Sequence, residues 1–224
     1  VKSEVSVIDQ KKGLLLTQGL KGRVALVKLA LAKGLLGMNV EEEKSVVSYS
    51  HIKYLSQLED VTLLGALSFL AGLFLKSDSF LSEGQRIGEL VLSFINKDGE
   101  VDLFFLMEKG IYKKDSLRAS LFVIMSLYGA MVQSESCVTL LSKLDPYQGG
   151  LFQSLDVENR LLCRLLESSL IKCSTLEKKC EHNDVIDGLL RVKTEGFSFN
   201  TSLHSKVGVG SLSFQDELVV PSFG

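Results

Sequence analysis

Apolar residues recur at three- and four-residue spacing along most of the chain, which is the period of a helix with one buried face. This pattern extends from about residue 10 to about residue 192. Residues 194–224 instead alternate apolar and polar positions and contain Pro221, a pattern typical of extended chain. The predicted helices cover 14–36 in two glycine-broken parts, 41–58, 61–75, 87–95, 117–132, 138–144, 151–176 and 185–192.

The change of pattern near residue 193 predicts two structural units. Residues 1–193 form an all-α domain of stacked helices or an irregular helical bundle. Residues 194–224 form an extended carboxyl-terminal tail that docks on the body or on another copy of the chain.

Two predicted helices, 61–75 and 117–132, are apolar on nearly every side, as central helices are when neighbours cover all their faces. The first lies between Asp60 and Lys76 and spans roughly 22 Å at 1.5 Å per residue, which is short of the ~30 Å hydrocarbon layer of a membrane. We therefore expect a buried helix and no membrane partner.

The two apolar helices also resemble each other in sequence. The segment Ala66-Leu67-Ser68-Phe69-Leu70-Ala71-Gly72-Leu73 aligns with Ser120-Leu121-Phe122-Val123-Ile124-Met125-Ser126-Leu127, and an amphipathic helix follows each. On this pattern, residues 60–145 resemble the armadillo and HEAT families of helical repeats. The resemblance implies stacked helix pairs that bind a peptide or partner helix along an extended surface. The 54-residue offset exceeds the usual repeat length of roughly 40 to 47 residues, so an irregular bundle stays an equal alternative.

Composition narrows the class of protein further. The chain of 224 residues carries 25 Lys and Arg against 27 Asp and Glu, a net charge of −2, which does not suggest a dedicated nucleic-acid-binding protein. Four cysteines are too few for a disulfide-stapled secreted module, and we expect an intracellular protein, cytoplasmic or nuclear. The chain begins at Val1 without an initiator Met or a signal-peptide pattern, which we interpret as a segment of a larger protein.

Candidate chemistry is sparse. The one group with metal-ligand residue types, Cys173, Cys180 and His182 with Cys163 as a fourth ligand, lacks the close cysteine pairs of zinc sites. Cys180 and His182 also lack the arrangement of a nucleophile and its base, because residues two apart on a helix point away from each other. We therefore predict no catalytic residues, no cofactor and no metal.

The sequence favours a non-enzymatic interaction or scaffold domain whose partner is a protein or peptide, with the tail as a route to homo-oligomers. The predicted partner-binding residues combine a basic cluster with phenylalanines of the tail: Lys109, Lys113, Lys114, Arg118, Phe197, Phe199 and Phe214. The alternative is a helical, nucleoprotein-like nucleic-acid-binding protein that uses the basic positions of residues 11–33 and 109–118.

Overall fold

The computed structural model describes residues 2–46, 58–92, 115–132, 135–145, 151–173, 189–193, 197–202, 210–214 and 217–223. The predicted helical positions 47–57, 93–95, 174–176 and 185–188 lie outside these residues. The helices are α1 (Lys2–Gln10), α2 (Lys12–Leu16), α3 (Gly19–Leu35), α4 (Glu41–Val46), α5 (Leu58–Leu75), α6 (Asp78–Leu92), α7 (Asp115–Val132), α8 (Glu135–Leu144), α9 (Leu151–Ser154) and α10 (Val157–Cys173).

The core is built on an antiparallel hairpin of α5 and α6 in which the two backbones touch. A Cβ placed on Gly72 would lie 2.6 Å from the backbone nitrogen of Leu81, and one placed on Gly84 would lie 2.7 Å from the Cα of Phe69. Only glycine permits so close an approach of two helices. The connection between the helices is short, and Lys76 within it has a left-handed backbone conformation with φ of 51°.

Helix α7 packs beside the hairpin and is buried in the same core. Its Ser120 hydroxyl lies 2.9 Å from the Thr62 hydroxyl of α5, and Gly65 of α5 lies against Ile124 one turn further along. These two contacts advance in the same direction, so α5 and α7 run parallel. Helix α6 is antiparallel to α7, since Gly88 meets Tyr128 and Gln85 donates a hydrogen bond to Met131.

The remaining helices cover this centre. Helix α3 meets α5 where Gly34 contacts Leu75, α8 meets α7 where Gly129 contacts Cys137, and α10 packs against both α5 and α7. The prediction that 61–75 and 117–132 are buried central helices is confirmed for their described side chains. Whether the helices are armadillo or HEAT repeats stays a prediction.

Several predicted helix boundaries are wrong, and one helix was not predicted. Helix α6 begins at Asp78, whereas the sequence predicts a loop there and a helix from residue 87. Glu59 and Asp60 were expected to end a helix but lie in the first turn of α5, where acidic residues stabilise the helix dipole. The predicted helix 151–176 is interrupted between α9 and α10, because Asp156 caps α10 by accepting the backbone N–H of Asn159 at 2.8 Å. Helix α1 was not predicted at all, since its residues show little apolar periodicity.

The carboxyl-terminal residues form an antiparallel sheet of four described strands: β1 (Leu189–Lys193), β2 (Phe197–Ser202), β3 (Gly210–Phe214) and β4 (Glu217–Phe223). The strands follow one another in chain order, and register shifts at two places interrupt the pairing of β3 with β4. The predicted last helix, 185–192, is therefore wrong over 189–192. β1 pairs with β2 across the predicted boundary at residue 193 because Leu190 and Val192 alternate with charged residues at the period of a strand.

The predicted all-α class is confirmed for the described residues up to Cys173. Docking of the tail on the body or on another copy stays a prediction. Within the described ranges, each helix is too short or too polar to cross a bilayer.

Candidate interaction surface

The predicted basic cluster contributes little that the structure describes. Lys109, Lys113 and Lys114 lie outside the described residues, and Arg118 belongs to the first turn of α7. The grouping of this cluster with the phenylalanines of the tail stays a prediction.

The three predicted phenylalanines, in contrast, lie together in the sheet. Phe197 of β2 pairs directly with Phe214 of β3, and Phe199 pairs with Leu212 of β3 on one side and with Val192 of β1 on the other. Directly opposed residues share a face of a sheet, as do residues two apart in one strand. The strand register thus places all three phenylalanines on one face.

The same register adds apolar residues beyond the three predicted phenylalanines. On the face of the phenylalanines, here called the apolar face, lie Leu190, Val192, Phe197, Phe199, Leu212, Phe214, Val220 and Phe223, together with Thr201, Gly210 and, opposite Phe214, Glu217. The period-two alternation of Leu190 and Val192 was the available signal, but their position next to a helical pattern led to a helix prediction. Val220 and Phe223 are three residues apart, so the sequence shows no period-two alternation there, and only the shifted β3–β4 register places both on this face.

The opposite face has a different composition. Its residues are mainly hydroxyl, amide and basic ones: Leu189, Arg191, Lys193, Ser198, Asn200, Ser202, Ser211, Ser213 and Leu218. An antiparallel sheet with one apolar and one polar face is stable when the apolar face is covered and the polar face is hydrated. β1 and β4 are the edges of the described sheet, and Pro221 in β4 removes a backbone donor from one of them.

The basic positions of residues 11–33 are engaged inside the chain at several points. Lys12 pairs with Asp9 and Glu42, and Lys28 pairs with Glu158 of α10. These lysines belong to ion pairs between helices, which reduces the positive charge that this region presents to a polyanion.

Lys33 forms the most buried of these ion pairs. Its side chain is 7% exposed, and its Nζ lies 2.8 Å from Oε1 of Glu43, whose side chain is 1% exposed, and 3.3 Å from both carboxylate oxygens of Asp9. Burial alone would lower the pKa of the Lys33 ammonium, but its hydrogen bonds to Glu43 and Asp9 and their negative charges raise that pKa above its ordinary value of 10.5. Lys33 therefore joins α1, α3 and α4 as a cation and is a structural group.

The cysteines of the body are placed for packing. Cys137 and Cys163 are both fully buried, and burial, with the charges of Glu167 and Asp145, raises the pKa of the Cys163 thiol to about 11. A thiol with so high a pKa is a poor nucleophile at neutral pH. Cys173 lies at the end of α10, whereas Cys180 and His182 lie outside the described residues.

No cluster of three or more metal-ligating side chains occurs in the part of the chain that the structure describes. Comparisons with protein-family models, curated proteins and solved structures give no match to this chain.

Proposed function

We propose that this chain is a non-enzymatic protein-interaction domain that contacts its partner through the apolar face of the carboxyl-terminal sheet. The observation that carries the proposal is the strand register, which gathers Phe197, Phe199 and Phe214 on one face. Phenylalanines bury a large area at low conformational cost and dominate the energetics of protein interfaces.

Site-specific photocrosslinking tests this proposal. A benzoylphenylalanine is introduced in place of Phe199 on the apolar face and, as a matched control, in place of Asn200 on the opposite face. The full chain is irradiated alone and in an extract of its source cells, and the products are mapped by mass spectrometry. We expect abundant crosslinks to another polypeptide at position 199 and few at position 200.

Two outcomes would contradict the proposal. Equal crosslinking at positions 199 and 200 would mean that the apolar face has no special role in contact. Crosslinks from position 199 that reach only the same molecule, with and without extract, would mean that the sheet packs on its own helices as part of the core.

Nucleic-acid binding is the second candidate function, and the ion pairs of Lys12, Lys28 and Lys33 argue against it. Fluorescence anisotropy with a labelled single-stranded RNA separates the two functions, because phosphate contacts give an affinity that falls steeply with salt. We expect no such salt-dependent binding at physiological ionic strength.

A further inference from the structure

Helix α3 is buried on two opposite faces. One face packs into the apolar core shared with α5 and consists of Leu20, Val24, Val27 and Leu31. The other face is a strip made of Gly22, Leu26, Leu29 and Lys33. At 3.6 residues per turn these four positions lie within about 60° of one another, on the side away from the core. Leu26 and Leu29 are each 4% exposed although neither belongs to that core, so other elements cover them.

Contacts at the two ends of the strip identify its cover. At one end, a Cβ placed on Gly22 would collide with the carbonyl oxygen of Leu15, so the backbone of α2 lies directly on the strip. At the other end, Lys33 contacts Asp9 of α1 and Glu43 of α4. Among the described elements, α1, α2 and α4 therefore enclose the strip between these contacts. Helices α1 and α2 are here called the lid.

The lid is held mainly by charge. Val5 is the one buried residue among those described in α1. Ion pairs join the lid to α3 and α4, with Asp9 bound to Lys33 and Lys12 bound to Glu42. Segments with few buried apolar contacts open at a lower free energy than the core of a protein does. The lid is therefore the part of the helical body that is placed to open first.

Lys33 stays paired when the lid leaves. Its Nζ lies 2.8 Å from Oε1 of Glu43 but 3.3 Å from either carboxylate oxygen of Asp9, whose side chain is 28% exposed. Helix α4, which carries Glu43, contacts α6, where the Ser79 hydroxyl donates a hydrogen bond to the carbonyl of Lys44 at 3.2 Å. Since α4 remains in place, losing Asp9 does not leave the Lys33 ammonium as an uncompensated buried charge.

We infer that the lid swings away from α3 as a unit while the rest of the helical body stays folded, and that this movement uncovers Leu26 and Leu29. Gly19, at the start of α3, is the pivot. Its φ of 61° is a left-handed conformation, and a Cβ there would have no neighbour within 4 Å, so the backbone is free to change direction at this point. The lid thus controls access to the apolar strip. The inference does not depend on the apolar face of the sheet.

Thiol labelling of two buried leucines of α3 tests the opening. Leu29→Cys places a thiol under the lid, and Leu31→Cys, the matched control, places one on the core face of the same helix. Each full-length variant is treated with N-ethylmaleimide at neutral pH without denaturant, and peptide mass spectrometry separates the introduced thiol from the native cysteines. Urea denaturation gives the labelling that global unfolding alone allows. We expect labelling at position 29 to exceed that limit by about tenfold or more, and labelling at position 31 to stay at it.

Asp9→Asn, added to each cysteine variant, tests whether charge closes the lid. It is expected to speed labelling at position 29 by about tenfold, because Lys33 loses a hydrogen bond to a charged group, and to leave position 31 unchanged. Glu41→Gln is the control for the same change of net charge. Its carboxylate pairs with Lys44 within α4, so it should alter neither rate.

Equal labelling at positions 29 and 31, after correction for the stability of each variant, would overturn the inference, because the strip would then be exposed only when the whole body unfolds. So would an Asp9→Asn substitution that leaves the rate at position 29 unchanged. If circular dichroism shows that Leu29→Cys does not fold, Leu26→Cys and Val27→Cys provide the same comparison at neighbouring buried positions on the two faces of α3.

Discussion

Two regions of the helical body achieve close packing by opposite means. Around α5 and α6, glycines allow backbones to touch, and the surrounding residues are apolar. Around α1 to α4, helices meet through buried and half-buried charges centred on Lys33. Among the described residues of α1, Val5 alone is buried, so charge pairing rather than apolar burial attaches this helix.

The comparison shows which perturbations each region tolerates. The glycine-packed hairpin has no space for an added methyl group. The ion pairs of Lys33 with Asp9 and Glu43 are here called the charged junction. This junction needs all three charges, because one oxygen of Glu43 is buried without a hydrogen-bond partner among the described residues. Removing a cation there leaves a buried anion uncompensated, which is strongly destabilising.

The largest effect is expected from Lys33→Met. We expect it to reduce the free energy of unfolding by about 3–5 kcal/mol, since Glu43 remains buried and loses its counter-ion. Urea denaturation followed by circular dichroism measures this loss. Lys12→Met, at a lysine that is one-third exposed, should cost no more than about 1 kcal/mol.

The double variant Lys33→Met with Glu43→Leu sharpens this prediction. It should recover most of the lost stability, because an apolar pair of similar volume replaces the ion pair. A single and a double variant of equal stability would show that the loss has a different cause.

Gly84→Ala is expected to destabilise the protein by about 1–3 kcal/mol, because the new methyl group forces α6 away from Phe69 of α5. Gly13→Ala is the matched control, since a Cβ at Gly13 in α2 has no neighbour within 4 Å. That control should stabilise the protein by about 0.5–1 kcal/mol through helix propensity and a less flexible unfolded chain. Thermal unfolding of both variants tests the contrast, and equal shifts would contradict close contact of α5 and α6.

The charged junction also predicts a pH dependence at the alkaline end. The folded-state pKa of Lys33 lies above 10.5, so its stabilisation is complete below pH 10.5 and is lost as pH rises through the folded pKa. The stability difference between wild type and Lys33→Met should therefore be constant from pH 7 to 10 and shrink above pH 10.5. Urea denaturation at a series of pH values measures it, and a constant difference at every pH would contradict the role of the ammonium.

The smallest effect concerns thiol chemistry. Cys137 and Cys163 should resist alkylation by iodoacetamide at pH 8 in the native protein, because both are buried and the pKa of Cys163 is about 11. Both should react after unfolding in urea. Peptide mass spectrometry distinguishes them from Cys173 and Cys180, and rapid native labelling of Cys163 would require a more open α10.

Local pattern was sufficient to predict the buried helices. The uninterrupted apolar residues of 61–75 and 117–132 have no polar face to expose, so burial on all sides was the one arrangement available in water. Helix ends were harder to predict, as Glu59, Asp60 and Asp156 show, because acidic residues serve both in loops and at helix starts. The sheet was missed for a similar reason: the alternation of Leu190 and Val192 covers too few residues to separate a strand from a helix end.

The sequence by itself determined that the chain has a helical body with two central apolar helices, because periodicity depends only on neighbours along the chain. Only the tertiary structure decided which glycines lie between helices, that Lys33 meets Asp9 and Glu43, and that the phenylalanines share a sheet face. These contacts join residues far apart in the chain. Packing geometry and strand register select them among many alternatives that have the same local pattern.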